Sequence, residues 1–220
     1  VCAWHLLRKN GDPVFAKSVK IAAPFTLILA LLVAVAGHHQ GQIVARHQPA
    51  KLAAMESHWE TRENAPMYLL VWPDQEEGKN SVEAIGIPGV LSFMAHGNFS
   101  QEVTGLNAFP KEDIPPVLLT FLSFRFMVAL GAVFILLSGW AWLKRRNLAE
   151  SPLLARLLIW TIPLPYLAIM AGWMVAEVGR QPWIVYGLMR TSDAVSPVPT
   201  SSVALSLAAF AVIYTALGIL

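Results

Sequence analysis

The chain has 220 residues, of which 55% are hydrophobic and only 14% charged, with a mean hydropathy of +0.53. Soluble domains carry about 25% charged residues, so the composition argues against a single water-soluble globule. Sixteen Lys and Arg against 14 Asp and Glu give a net charge of +2, which implies no nucleic-acid partner, and the single cysteine, Cys2, permits no internal disulfide.

The sequence opens at Val1 on an apolar stretch with no basic segment before it, unlike a signal peptide. It stops at Leu220 inside another apolar run, and is read as an internal fragment of a longer membrane protein. Residues 1–7 are then the end of a transmembrane helix, and 8–20 a loop carrying Arg8, Lys9, Lys17 and Lys20. A span needs about 20 apolar residues. Residues 21–37 supply 17 without a charge, 117–143 supply 27 interrupted only by Arg125, and 153–179 form a third run holding Arg156 and Glu177. A fourth run covers 202–220, after a loop at 180–201. The loop at 144–152 carries Lys144, Arg145 and Arg146 and falls on the same side as 8–20. The positive-inside rule makes that side cytoplasmic. The expected fold is an all-α, multi-span helical bundle with an extracytoplasmic loop domain at 38–116.

That loop holds ten acids against five bases, Arg46, Lys51, Arg62, Lys79 and Lys111, in keeping with an outward placement. At 79 residues it is too long for a simple connector. Residues 50–59 (AKLAAMESHW) place Leu52, Met55 and Trp59 at i, i+3 and i+7, which predicts an amphipathic helix lying on the membrane surface with Lys51 and Glu56 on its solvated face. Prolines and glycines from Pro66 to Gly89 punctuate the rest of the loop, and Pro110, Pro115 and Pro116 close it.

Two charges sit where lipid should be. Arg125 is the ninth residue of its span, a depth that costs a few kcal/mol even on lenient insertion scales, so it needs an acid or an anionic cofactor group as partner. Met127, about 200° round the helix, is read from the residues alone as core filler. Trp173, Glu177 and Arg180 share one helical stripe, which is either an interfacial ion pair beside an aromatic belt or a carboxylate ligand with an arginine holding the same cofactor. None of the six histidines has a partner at i+3 or i+4, so no self-contained zinc site is visible.

Three stretches carry a family resemblance. GWMVAEVGRQPW (172–183), KLAAMESHWET (51–61) and FRFMVALG (124–131) resemble, in order, stretches of subunit I of the cytochrome bd quinol oxidases. The resemblance covers the whole chain as the C-terminal part of that subunit, of the short quinol-loop type that includes cyanide-insensitive members. It implies Met127 as axial ligand of a low-spin haem b with Arg125 beside it, and Glu177 as ligand of a high-spin haem b. Arg180 would pair with haem propionates, and Trp173 would pack among the haems. Lys51 and Glu56 match residues implicated in quinol oxidation, with Glu56 as general base and Lys51 bonding a quinone oxygen. The oxygen-reducing site would hold haem d or a third haem b. The histidine opposing Met127 and the remaining ligands would lie before Val1.

The activity implied is quinol:oxygen oxidoreduction. Ubiquinol or menaquinol would be oxidised at the outer face, O₂ reduced to water, and a proton gradient built. The partners implied are subunit II, small accessory subunits and the lipid bilayer of a bacterial or archaeal plasma (inner) membrane. A haem-free transporter lined by Arg125 and Glu177, or a haem-free structural paralogue, stands as the alternative.

Overall fold

A computed structural model describes residues 2–8, 13–147 and 151–219. Val1, Lys9 of the first basic loop, residues 148–150 of the second and Leu220 of the last expected span lie outside the described residues. The chain is mostly helical, as its composition predicts. Three helices are long and apolar enough to cross a membrane, and a bent helix pair makes a fourth span if counted as one.

After the short α1 (Cys2–Leu7), α2 runs over Pro13–His47, twice the expected length. Thirty-five residues reach about 52 Å, against roughly 30 Å of hydrocarbon. Lys17 and Lys20 therefore belong to its first turns rather than to a loop, and residues 38–47 form a stalk beyond the apolar run. The next long helix, α5 (Val117–Leu143), matches its expected span and packs antiparallel to α2. At one end Val19 and Ala23 of α2 meet Ala141 of α5 and Leu154 of α6.

The run expected as one span at 153–179 is two helices, α6 (Pro152–Trp160) and α7 (Leu164–Glu177), bent by 41°. Pro163 and Pro165 explain the break, since neither can donate to the preceding turn and each disfavours helix in the residue before it. α7 packs along α5. The last helix, α8 (Thr200–Ile219), is apolar all round and buries no residue.

Between α2 and α5 lies a folded connecting domain. Helix α3 (Pro49–Glu56) follows α2 after one residue, and antiparallel strands β1 (Met67–Asp74) and β2 (Lys79–Ile87) form a hairpin, followed by α4 (Val90–His96). This hairpin, and a smaller one of β3 (Trp183–Val185) and β4 (Met189–Arg190), are additions to the all-α expectation. Ala45 at the top of α2, Leu52, Ala65, Leu91, Ala95 and Val103 make the domain core. A second cluster of Ala53, Ala54, Trp59, Leu106 and Val117 fastens the domain to the start of α5.

The surface-lying helix expected at 50–59 is corrected on two counts. It stops at Glu56, because Ser57 takes a left-handed conformation (φ 52°) and the chain turns, so Trp59 is not on the helix. It is also a core element, with Ala50 and residues 52–56 all buried. A helix this rich in alanine lets its neighbours approach closely, and its two charged side chains find partners instead of water.

One glycine fixes how the spans meet the domain. A Cβ on Gly179 would stand 2.5 Å from the Val175 carbonyl oxygen, 2.9 Å from Thr120 Cγ2 and 3.5 Å from Lys51 Cε, so α7, α5 and α3 converge there only without a side chain. Gly179→Ala is therefore expected to destabilise by about 1–3 kcal/mol, the usual cost of overpacking. Gly37→Ala in α2, where nothing lies within 4 Å, should instead stabilise by about 0.5–1 kcal/mol through helix propensity. Thermal unfolding of the detergent-solubilised protein checks both; a matching change in Tm for the two variants would contradict this packing.

Candidate functional site

The intramembrane charge at Arg125 has its partner. Arg125 Nη2 donates to Glu56 Oε2 at 2.5 Å and to the Tyr68 carbonyl at 2.8 Å, so α3 and β1 of the connecting domain both close on the same guanidinium. The guanidinium also stacks over Phe121, one turn back on α5, at 5.2 Å. Glu56 is the more secluded member, its side chain 4% exposed against 21% for Arg125. Burial pushes its carboxyl up to about 7, while the charge and hydrogen bond of Arg125 pull the other way. Near neutral pH this group can therefore both take and give a proton.

Met127 turns to the opposite side of α5. Its Sδ lies against α7 at Gly172, where an added Cβ would approach to 3.2 Å. Five residues further along α7, about 7.5 Å of helix rise, Glu177 forms an ion pair with Arg180. Lys51 reaches this second cluster rather than Glu56: its Nζ donates to the Ala176 carbonyl at 3.2 Å, at the C-terminal end of α7. Burial and then Arg180 lower the Lys51 pKa, while Glu177 acts in the other direction. Trp173, one turn before Glu177, is exposed.

The residues singled out by sequence thus divide into two groups. Glu56 and Arg125 form one, and Lys51, Glu177 and Arg180 the other, with Met127 of α5 packed against α7 at Gly172, below the second. Lys51 and Glu56 do not share a pocket, since they point from different sides of α3. Arg125 and Glu177 are engaged in separate ion pairs rather than with each other.

Sequence reasoning missed Asn80 on β2. Its Nδ2 donates to the Ser57 carbonyl (3.0 Å) and to Glu83 Oε1 (2.7 Å), and its Oδ1 accepts from Ser57 Oγ (2.5 Å) and Trp59 Nε1 (2.8 Å). One side chain thereby holds the turn that ends α3 just after Glu56. The available signal was an asparagine in strand-like surroundings, where that residue type is depleted. Arg190 was also missed. It pairs with Asp113 at 2.7 Å and lies over Trp183, tying the β3–β4 hairpin to the approach to α5.

Whether the site suits an anionic cofactor can be read from its arginines. Arg125 Nε and Arg180 Nε are buried donors without an acceptor among the described residues, and each would be satisfied by a carboxylate such as a haem propionate. Among the described residues no three His, Cys, Asp or Glu side chains gather to hold a bare metal ion. A lone thioether and a lone carboxylate suit an iron whose other ligands come from a macrocycle.

The family model described as "Cytochrome bd terminal oxidase subunit I" matches residues 1–220. The chain belongs to the cytochrome bd terminal oxidase subunit I family. It is 39% identical to "Cytochrome bd ubiquinol oxidase subunit 1" of Bacillus subtilis (strain 168) over 100% of this chain and 50% of that protein. It is also 37% identical to "Putative cytochrome bd menaquinol oxidase subunit I" of the same organism, over 99% of this chain and 50% of the relative. The solved bd oxidase of Geobacillus thermodenitrificans matches with a TM-score of 0.77 at 31% identity, covering 99% of this chain and 50% of that one. The chain thus spans about half the length of the relatives it matches, and it shares with this family a membrane helical bundle.

Arg125 should hold the Glu56 carboxyl down. Arg125→Leu is expected to move its titration above about 7, read from the pH dependence of the protonated-carboxyl stretch in infrared difference spectra assigned with Glu56→Gln. A midpoint that stays put or falls would show that the pair does not exist in the membrane-embedded protein.

Proposed function

We propose that the chain is the quinol-facing, haem-holding half of subunit I of a terminal quinol oxidase. The observation that carries this reading is what α5 holds on its two sides: Arg125, salt-bridged to a buried carboxyl that titrates near neutrality, and two residues on, facing α7, the thioether of Met127. Quinol oxidation releases protons together with electrons, so it needs a proton acceptor beside an electron acceptor. Family membership and the cofactor-sized demands of the two arginines support the same reading.

In this reading Met127 would ligate a low-spin haem b, with Arg125 beside it, and Glu177 would ligate a high-spin haem b, with Arg180 at its propionates. Trp173 packs against the cofactors, and haem d or a third haem b completes the oxygen site. When bound, the haems supply reversible one-electron chemistry and oxygen reduction. Glu56 acts as general base towards quinol. Lys51 acts from the second cluster: one N–H of its ammonium bonds the Ala176 carbonyl, and the other two are available to a quinone oxygen.

Lys17, Lys20 and the bases at 144–146 gather at one end of α2 and α5, which we take as the cytoplasmic end by the positive-inside rule. The connecting domain then lies outside, where protons released from quinol add to a gradient across the bacterial inner membrane. Subunit II, O₂, and ubiquinol or menaquinol are the partners this activity requires.

In the intact oxidase, Glu56→Gln should lower quinol turnover by about 10²–10⁴, the range of lost acid–base catalysis, while dithionite still reduces the haems. Met127→Leu should shift or abolish the low-spin band in reduced-minus-oxidised spectra. Gly172→Ala should shift the potential of the same haem by crowding Sδ. An unchanged spectrum and potential in both variants would refute Met127 as a ligand.

A further inference from the structure

Beside Glu56 the connecting domain encloses a cavity of about 200 Å³. Glu56 lies at its buried floor, His58 and Asn80 in its wall, and Glu60, Lys79 and Glu83 at its rim, where all three are exposed to water. The cavity touches neither Arg125 nor any other residue of α5, so Glu56 separates it from the membrane-embedded side. Asn80 connects floor to mouth: the same amide group bonds the Ser57 carbonyl beside Glu56 and the Glu83 carboxylate at the rim. The space is polar and large enough for several waters. His58 Nε2 is engaged with the Val103 carbonyl at 3.3 Å, and burial lowers its pKa, so its imidazole adds no charge to the two cations that line the cavity, Arg62 and Lys79, which stand against the carboxylates of Glu60 and Glu83.

We propose that this cavity is the exit through which a proton taken up by Glu56 reaches the outer aqueous phase, with Glu83 as the acceptor at its mouth. The proposal rests on the quinol oxidase reading. A quinol O–H bond breaks, its proton passes to the Glu56 carboxylate, and the electrons go to the haem acceptor which that reading requires. Glu56 then gives up the same proton along cavity water to Glu83 and on to bulk water, which restores both carboxylates and leaves the base ready for the second proton. Without the exit, Glu56 would stay protonated after one transfer, because Arg125 on its other side is a cation and cannot accept.

The test uses the intact oxidase in vesicles, supplied with quinol. Glu83→Gln should lower kcat on the order of tenfold, below the loss for a direct acid–base group, with KM and the dithionite-reduced spectrum unchanged. The solvent deuterium isotope effect on kcat should rise, and added formate, a small carboxylate that can enter the cavity, should restore turnover. Glu83→Asp should retain most of the rate. Unchanged turnover and isotope effect in Glu83→Gln, or a loss that formate does not restore, would overturn the exit route. If Glu56→Gln is inactive while Glu83→Gln behaves as wild type, the exit alone fails. If Glu56→Gln turns over normally, the base assignment beneath it fails as well.

Discussion

The bond between Arg125 and Glu56 holds the rest of the arrangement together. An arginine on a lone apolar helix is expelled at a cost of a few kcal/mol. Here the connecting domain folds down to meet it, supplying a carboxylate from α3 and a backbone carbonyl from β1. A buried pair of this kind adds little net stability compared with an apolar pair, yet breaking it by removing one partner costs about 3–5 kcal/mol. Its effect is therefore to fix position. With Arg125 fixed on α5 and Glu56 at the end of α3, the domain can sit on the bundle in one way only.

From that docking the chemistry follows in two directions. Around α3, burial raises the carboxyl of Glu56 into the range where it exchanges protons at neutral pH. Around α5, the same helix presents Met127 to α7 on its far side, and α7 ends about one and a half turns beyond at Glu177, which pairs with Arg180 in the turn that follows. Lys51 bridges the two regions, starting on α3 and ending on the last carbonyls of α7. Glu56 and the candidate iron ligands are thus joined by short, rigid elements, an arrangement that the proposed coupling of proton and electron transfer would need. The exposed faces of α2 and α8 are apolar over more area than a water-facing surface tolerates, and fit contact with lipid.

Much of this was legible in the residues. The apolar runs locate α2, α5 and α8, because exclusion of charge over about 20 residues has few other causes. The depth of Arg125 demands an anion, and the structure supplies one, although the sequence could not say that it would be Glu56, 69 positions away. The helix at 50–59 went astray because an i, i+3, i+7 pattern does not distinguish a membrane surface from a protein interior when three of the remaining positions, 50, 53 and 54, are alanine. The break at Pro163 and Pro165 was written in the sequence, but the continuous apolar run masked it. The six-residue apolar stretch 67–72 between two prolines carried the β1 strand, and Asn80 gained its importance only through contacts with Ser57, Trp59 and Glu83 that form after folding.

The most direct test of the central claim is a double-mutant cycle between Arg125 and Glu56 in the membrane-embedded protein, with Arg125→Leu, Glu56→Leu and the double variant compared by thermal unfolding. If the pair fixes the connecting domain on the bundle, the double variant will be more stable than the sum of the single losses predicts, by a coupling of about 3 kcal/mol or more, because each single variant leaves a buried charge unpaired and the double variant leaves none. Strict additivity would mean that the two charges do not meet, and the docking of domain on bundle would need another cause.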